Sequence, residues 1–105
     1  MVFNHLIGVR FPVGPPKNIV NYFVYIIGHK NKSKLTTYVG YTNNLKKRLN
    51  LHNKGKGAKF TKGKKWNLAY FKKYPSKIKA MKEEYLLKKN TKKRNMIKNN
   101  YLNKL

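Results

Sequence analysis

The sequence predicts an α+β fold, a three-stranded antiparallel sheet flanked by helices, and three features predict it. Two runs rich in aromatic and β-branched residues, Tyr22 to Ile27 and Leu35 to Tyr41, are separated by a short polar segment, as a β-hairpin requires. A third such run, Trp66 to Tyr74, is ended by Pro75. Between and after these runs, apolar residues recur at helical spacing behind residues able to cap a helix.

Residues 1 to 18 carry Gly8, Pro12, Gly14, Pro15 and Pro16, punctuation that excludes a long regular element. They are expected to form an irregular arm ahead of a domain spanning residues 19 to 105. Tyr22-Phe23-Val24-Tyr25-Ile26-Ile27 reads as a buried strand, His29 to Lys34 as a turn and Leu35 to Tyr41 as the returning strand. Thr42 or Asn43 is expected to cap a helix running to Asn53, with Leu45, Leu49 and His52 on related turns. Lys54 to Lys65 holds three glycines and six lysines, the composition of a mobile loop beside phosphates. Trp66 to Tyr74 follows as the third strand. Ser76 then caps a helix in which Ile78, Met81, Tyr85 and either Leu86 or Leu87 should face the core. Thr91 to Leu105 reads as a shorter helix with Met96, Ile97, Tyr101 and Leu102 on its apolar side. There is no internal repeat.

A length of 105 residues leaves room for one hydrophobic core. The formal net charge of +24, from 26 basic residues against two acids, makes a polyanion, nucleic acid, the expected partner. A base composition favouring Lys, Asn, Ile and Tyr codons raises the lysine count by itself, but does not account for the scarcity of Asp and Glu. The absence of cysteine excludes a disulfide framework and a cysteine-based zinc site. No apolar run approaches the roughly 18 to 20 residues that span a bilayer, and no secretory signal pattern opens the chain. An intracellular setting, cytoplasmic or in an organelle matrix, is expected, with no membrane association and no small-molecule cofactor. Whether the chain is a monomer stays open.

Phe23-Val24-Tyr25 on the first strand and Tyr38-Val39-Gly40 on the second resemble the paired signatures of the GIY-YIG endonuclease superfamily. The run Tyr41-Thr42-Asn43-Asn44-Leu45-Lys46-Lys47-Arg48-Leu49, then His52-Asn53, looks like that family's motif helix with its active-site Arg and following His. Gly57-Ala58-Lys59-Phe60-Thr61 matches the loop of small stand-alone bacterial-type members, and Ala80-Met81-Lys82-Glu83-Glu84-Tyr85 is similar to their Ala-x-x-x-Glu helix. The resemblance runs from Asn21 to Lys89. It departs at Phe23, where the family name implies Gly, and at the C-terminus, where only Asn95 or Asn99 stands near the position of an Asn that some relatives use.

The resemblance implies a magnesium- or manganese-dependent phosphodiesterase whose site comprises Tyr25, Tyr38, Arg48, His52 and Glu84. The residue types suit that chemistry. Glu84 is one of just two acids, and a single carboxylate with several waters is an ordinary way to hold Mg²⁺. Glu83 leaves the same helix about 100° away, so one of the pair should face the site and the other solvent. Arg48, the only Arg between Arg10 and Arg94, offers a planar fork for two phosphate oxygens. His52 lies one turn further on the same face. The tyrosines line the site in the family, and the expectation is that Tyr25 accepts a proton from water while Tyr38 positions; a phenol does so only where cations stabilise its phenolate.

Lys54, Lys56, Lys59, Thr61, Lys62, Lys64 and Lys65 are the expected nucleic-acid contacts, the lysines neutralising phosphates without reading bases. Phe60 and Trp66 are candidate stacking platforms, with Trp66 better placed for the core. The leading expectation is a DNA endonuclease acting on duplex or branched DNA with little sequence preference. The alternative is a basic module that binds RNA or DNA and cleaves nothing. A homing-type nuclease half is disfavoured because little chain remains outside the core.

Overall fold

The computed structural model describes residues 20 to 104, and the expected arm at residues 1 to 18 lies outside them. Six elements follow in order: β1 (Tyr22–Asn31), β2 (Lys34–Thr42), α1 (Leu45–Asn53), β3 (Asn67–Tyr74), α2 (Lys77–Lys89) and α3 (Thr91–Asn103). The sheet is antiparallel with strand order β2-β1-β3, so the fold class is the one expected.

The central position of β1 explains why its sequence shows no alternation of apolar and polar residues. Phe23 to Gly28 are all buried because both faces of the sheet are covered. On one face Phe23, Tyr25 and Ile27 pack with Leu45 of α1, Trp66 and Leu68. On the other, Val24 and Ile26 pack with Leu35, Val39, Ala80, Leu87 and Tyr101 under α2 and α3. Phe23, the departure from the family signature, is a core residue with its ring edge-on to Phe71 at 6.0 Å.

The register of β1 with β3 shifts between Ile26 and Ile27, which pair with Tyr70 and Leu68 and leave Ala69 unmatched. That bulge reverses the alternation of β3. Leu68 therefore reaches the α1 face together with Phe71, while Tyr70 packs on the opposite one.

Expectations about all three helices need correction. The N-cap of α1 is Asn44, whose side chain accepts from the Lys47 N–H, while Thr42 Oγ1 accepts from the Asn44 N–H. The larger correction concerns α2. Ile78, Met81, Tyr85 and Leu86 are exposed, Ile78 by 79%, and the inward stripe is Ala80, Glu83, Glu84 and Leu87. The small, fully buried Ala80 lets the helix lie close to β1 and β2, and that rotation carries both acids inward. Glu83 is thus not turned to solvent: it lines a groove with Tyr70, Tyr74 and Lys93. On α3, Tyr101 is buried and Ile97 and Leu102 pack as expected, but Met96 is exposed. Asn90 joins the two helices, closing α2 and capping α3 through the Lys93 N–H.

Candidate active site

The site is built around the Tyr25 hydroxyl. Tyr25 pairs with Gly40 across β1 and β2, and its ring lies over that glycine so closely that a Cβ there would stand 2.5 Å from the hydroxyl oxygen. The glycine of Tyr38-Val39-Gly40 therefore has a steric reason: any side chain would displace the phenol. Tyr25 is only 2% exposed.

Arg48 and His52 stand one turn apart on α1 and converge on this hydroxyl. Arg48 Nε donates to it over 3.4 Å, and His52 Nε2 lies 2.7 Å from it. A second Arg48 donor, on Nη2, goes to the Gly57 carbonyl at 2.9 Å. Two of the five guanidinium N–H groups are thus spent inside the protein, and the Nη1 pair with one on Nη2 is left for a ligand. His52 is fully buried and holds Thr61 Oγ1 at 2.8 Å through Nδ1, so it is no helix-end histidine capping carbonyls.

Burial governs both titrations. The Tyr25 phenol is pushed up to about 12, chiefly by burial; the Arg48 hydrogen bond and charge pull the other way and lose, while Tyr38 and Glu84 add to the rise. Tyr25 is therefore protonated at neutral pH, and the cation beside it does not by itself produce a phenolate. His52 falls to about 4 through burial and then Arg48, and it is neutral across the physiological range.

The loop from Lys54 to Trp66 is tied down, contrary to the mobile segment expected. Asn53 stitches its end to α1, its side chain accepting from the Trp66 N–H at 2.6 Å and donating to the Trp66 carbonyl at 3.0 Å. Trp66 is buried and its Nε1 donates to the Thr61 carbonyl at 2.9 Å. Gly57 passes so close to His52 that an added Cβ would meet the imidazole. Lys54, Lys56, Lys59, Lys62 and Lys65 project from this anchored loop into solvent, and Lys64 is half-buried with its ammonium 5.6 Å from the Phe60 ring centre. Thr61 does not join them: it is fully buried, which removes it from any direct phosphate contact. Reading from sequence missed the supporting roles of Gly57, Thr61 and Asn53; the Gly57-Ala58-Lys59-Phe60-Thr61 match pointed at the first two and the His52-Asn53 match at the third.

Tyr38 is half-buried beside this cluster, its ring edge-on to His52 at 5.2 Å and stacked with the exposed Phe60 at 6.1 Å and 20°. Tyr38 and Phe60 line an open pocket with Lys88 and Arg94. Glu84 and Lys88 form a loose ion pair of 3.7 Å, so this pocket and the carboxylate share one neighbour. The two acids act on different groups: the charge of Glu84 reaches Tyr25, and that of Glu83 reaches Tyr74. Among the described residues no three His, Asp or Glu side chains cluster. A hard cation here would rest on the Glu84 carboxylate, phosphate oxygens and water, a set that suits Mg²⁺, which keeps several waters.

Sheet, signature strands and the Tyr25-Arg48-His52 cluster together define the class, a nuclease domain. The profile of the GIY-YIG catalytic domain matches residues 21–100, and the chain belongs to that family. It is 46% identical over 68 residues to a UPF0213 protein of Oceanobacillus iheyensis, covering 64% of this chain and 76% of that one. To the UPF0213 protein YazA of Bacillus subtilis it is 43% identical over 75 residues, covering 70% and 73%. A UPF0213 protein of Clostridium perfringens is 44% identical over 70 residues, covering 66% and 72%. These names carry no activity; the family points to endonuclease activity in general. No solved structure matches, and no helix among the described residues is long and apolar enough to cross a membrane.

Proposed function

We propose that this chain is a metal-dependent endonuclease that hydrolyses phosphodiester bonds in DNA, nicking or cutting duplex or branched substrates with little sequence preference. The observation that carries the proposal is the unbroken hydrogen-bonded line from Arg48 through the Tyr25 hydroxyl to His52. A module that only binds has no use for a buried phenol between a guanidinium and a neutral imidazole.

Lysines of the anchored loop hold the backbone of the nucleic acid over the site. The remaining N–H groups of Arg48 meet the scissile phosphate and take up charge as it develops. A protonated Tyr25 accepts a proton from water only if its own proton leaves in the same event, and His52 Nε2 at 2.7 Å is the acceptor for it. The O–H bond of water breaks, a new O–H forms on Tyr25, the Tyr25 proton passes to His52, and the hydroxide adds to phosphorus as the leaving oxygen departs and takes a proton from solvent; His52 gives its proton back to solvent before the next turnover. An imidazolium beside Arg48 is costly in the free protein; the negative phosphate at Arg48 lessens that cost. Glu84 would hold Mg²⁺ or Mn²⁺, which when bound neutralises phosphate charge. Tyr38 packs against His52 and sets its ring plane.

The test is incubation of purified protein with supercoiled plasmid and with branched, duplex and single-stranded DNA and RNA, with and without Mg²⁺. Nicked or linear plasmid formed only with metal is the expected result. No cleavage of any substrate, alongside tight binding, would transfer the assignment to the binding-module reading.

A further inference from the structure

We infer that Thr61 is a positioning residue that holds His52 as its Nδ1–H tautomer, so that the Nε2 lone pair is turned to the Tyr25 hydroxyl. The polarity of the hydrogen bonds requires it. Thr61 Oγ1 has one proton and donates it to the Ala58 carbonyl at 3.0 Å. Its lone pairs are what remain for His52 Nδ1, 2.8 Å away, so Nδ1 carries the hydrogen. Nε2 is then an acceptor, and the Tyr25 O–H donates to it over 2.7 Å while the Tyr25 oxygen receives the Arg48 Nε–H. Every donor in the line has an acceptor.

The opposite tautomer breaks this order. Nε2–H would point at a Tyr25 oxygen that already receives Arg48, leaving the buried Tyr25 proton without an acceptor among its hydrogen bonds. Thr61 would also have to turn its proton away from Ala58. The position of Thr61 is itself fixed, by the Trp66 indole on its carbonyl and by the close passage of Gly57 over the imidazole. The lysine loop thus carries, on its inner side, the group that decides which imidazole nitrogen can take a proton.

The inference deepens the nuclease reading and rests on it for its catalytic meaning, but the tautomer can be read with no substrate present. In ¹⁵N-labelled full-length protein at neutral pH, long-range ¹H–¹⁵N correlation distinguishes protonated from lone-pair nitrogens in each ring, with His52→Gln providing the assignment. His29, whose Nδ1 donates to the Lys65 carbonyl at 2.9 Å, is an internal reference for the Nδ1–H form. Wild type is expected to give His52 as Nδ1–H, Thr61→Ser to keep it, and Thr61→Val to move it to Nε2–H or a mixture. Cleavage of plasmid in Mg²⁺ should fall about 10- to 100-fold in Thr61→Val and recover in Thr61→Ser, part of the ~10²–10⁴ that placed proton transfer supplies. Should Val not fold, Thr61→Ala carries the same comparison. An Nε2–H tautomer in wild type, or an unchanged Nδ1–H tautomer in the folded Val or Ala variant, overturns the inference. Wild type that cleaves nothing while its tautomer responds to Thr61 overturns the nuclease reading and leaves the positioning role standing.

Discussion

Glu83 and Glu84 are neighbours on α2, equally charged and each paired with a lysine four residues away, at 3.2 Å for Lys79 and 3.7 Å for Lys88. Their surroundings separate them. Glu84 acts on Tyr25 and Glu83 on Tyr74, so Glu84→Gln should lower cleavage by about 10²-fold or more and leave DNA binding intact. Glu83→Gln should change cleavage several-fold at most; equal losses in the two variants would remove the metal role given to Glu84. Arg48→Lys keeps the charge but cannot reach Tyr25, Gly57 and a phosphate at once, and a rate loss of roughly 10²-fold with little change in affinity is expected. His52 yields a stability prediction. Its folded value of about 4 lies below the ordinary 6.5, so the unfolded chain binds the proton more tightly. Its contribution is complete above about 6.5 and is lost as pH falls through that window towards about 4. The groups facing it are Arg48, Tyr25, Tyr38 and Thr61. Melting temperature against pH should show this fall in wild type and a flatter profile in His52→Gln.

Elements bring these residues together through contacts that leave no slack. Gly40 on β2 gives the Tyr25 ring its place, so Gly40→Ala should force the phenol away from Arg48 and His52. Overpacking of this kind costs about 1–3 kcal/mol, and chemical denaturation should detect it together with a loss of cleavage. The β1–β2 turn is an element with strain to spare. Lys32 adopts a left-handed backbone with φ of 59°, and Lys32→Asn should raise stability by roughly 0.5–1 kcal/mol without touching activity. On α2, the outward Ile78, Met81 and Tyr85 and the inward glutamates reverse what hydrophobicity alone would choose, because the stripe carrying the fully buried Ala80 is the one that approaches the sheet closely.

At the scale of the whole molecule, the charge of +24 makes a salt-dependent affinity for nucleic acid the expected outcome. If binding is phosphate neutralisation, log K falls with log salt at about 0.9 per phosphate contacted on duplex DNA. Replacing Lys56, Lys59 and Lys62 together should flatten that slope while the cleavage-site preference stays put; titrations at several salt concentrations measure it. Because the loop carrying these lysines also holds Arg48 and His52, its backbone contacts must survive the substitutions, and an unchanged His52 tautomer in the triple variant is the control.

Strands, helices and their order were legible in the amino-acid sequence, since each rests on local information: β-branched runs, a Ser or Asn ahead of a helix, a proline after a strand. Tyr25, Arg48, His52 and Glu84 stood out as candidates through their resemblance to the family's motifs. Tertiary structure decided the rest. Whether α2 buries Ile78 or Glu84 depends on which stripe can approach the sheet, and a fully buried Ala80 settled it. The Ala69 bulge, which sends Leu68 and Tyr70 to opposite faces, has no local signature. Thr61 looked like one more polar residue in a phosphate-binding loop; only the folded loop shows its hydroxyl against His52 Nδ1. The state of Tyr25 likewise had to wait, because burial raises a phenol and a guanidinium lowers it, and a sequence names both groups without giving the depth at which they meet.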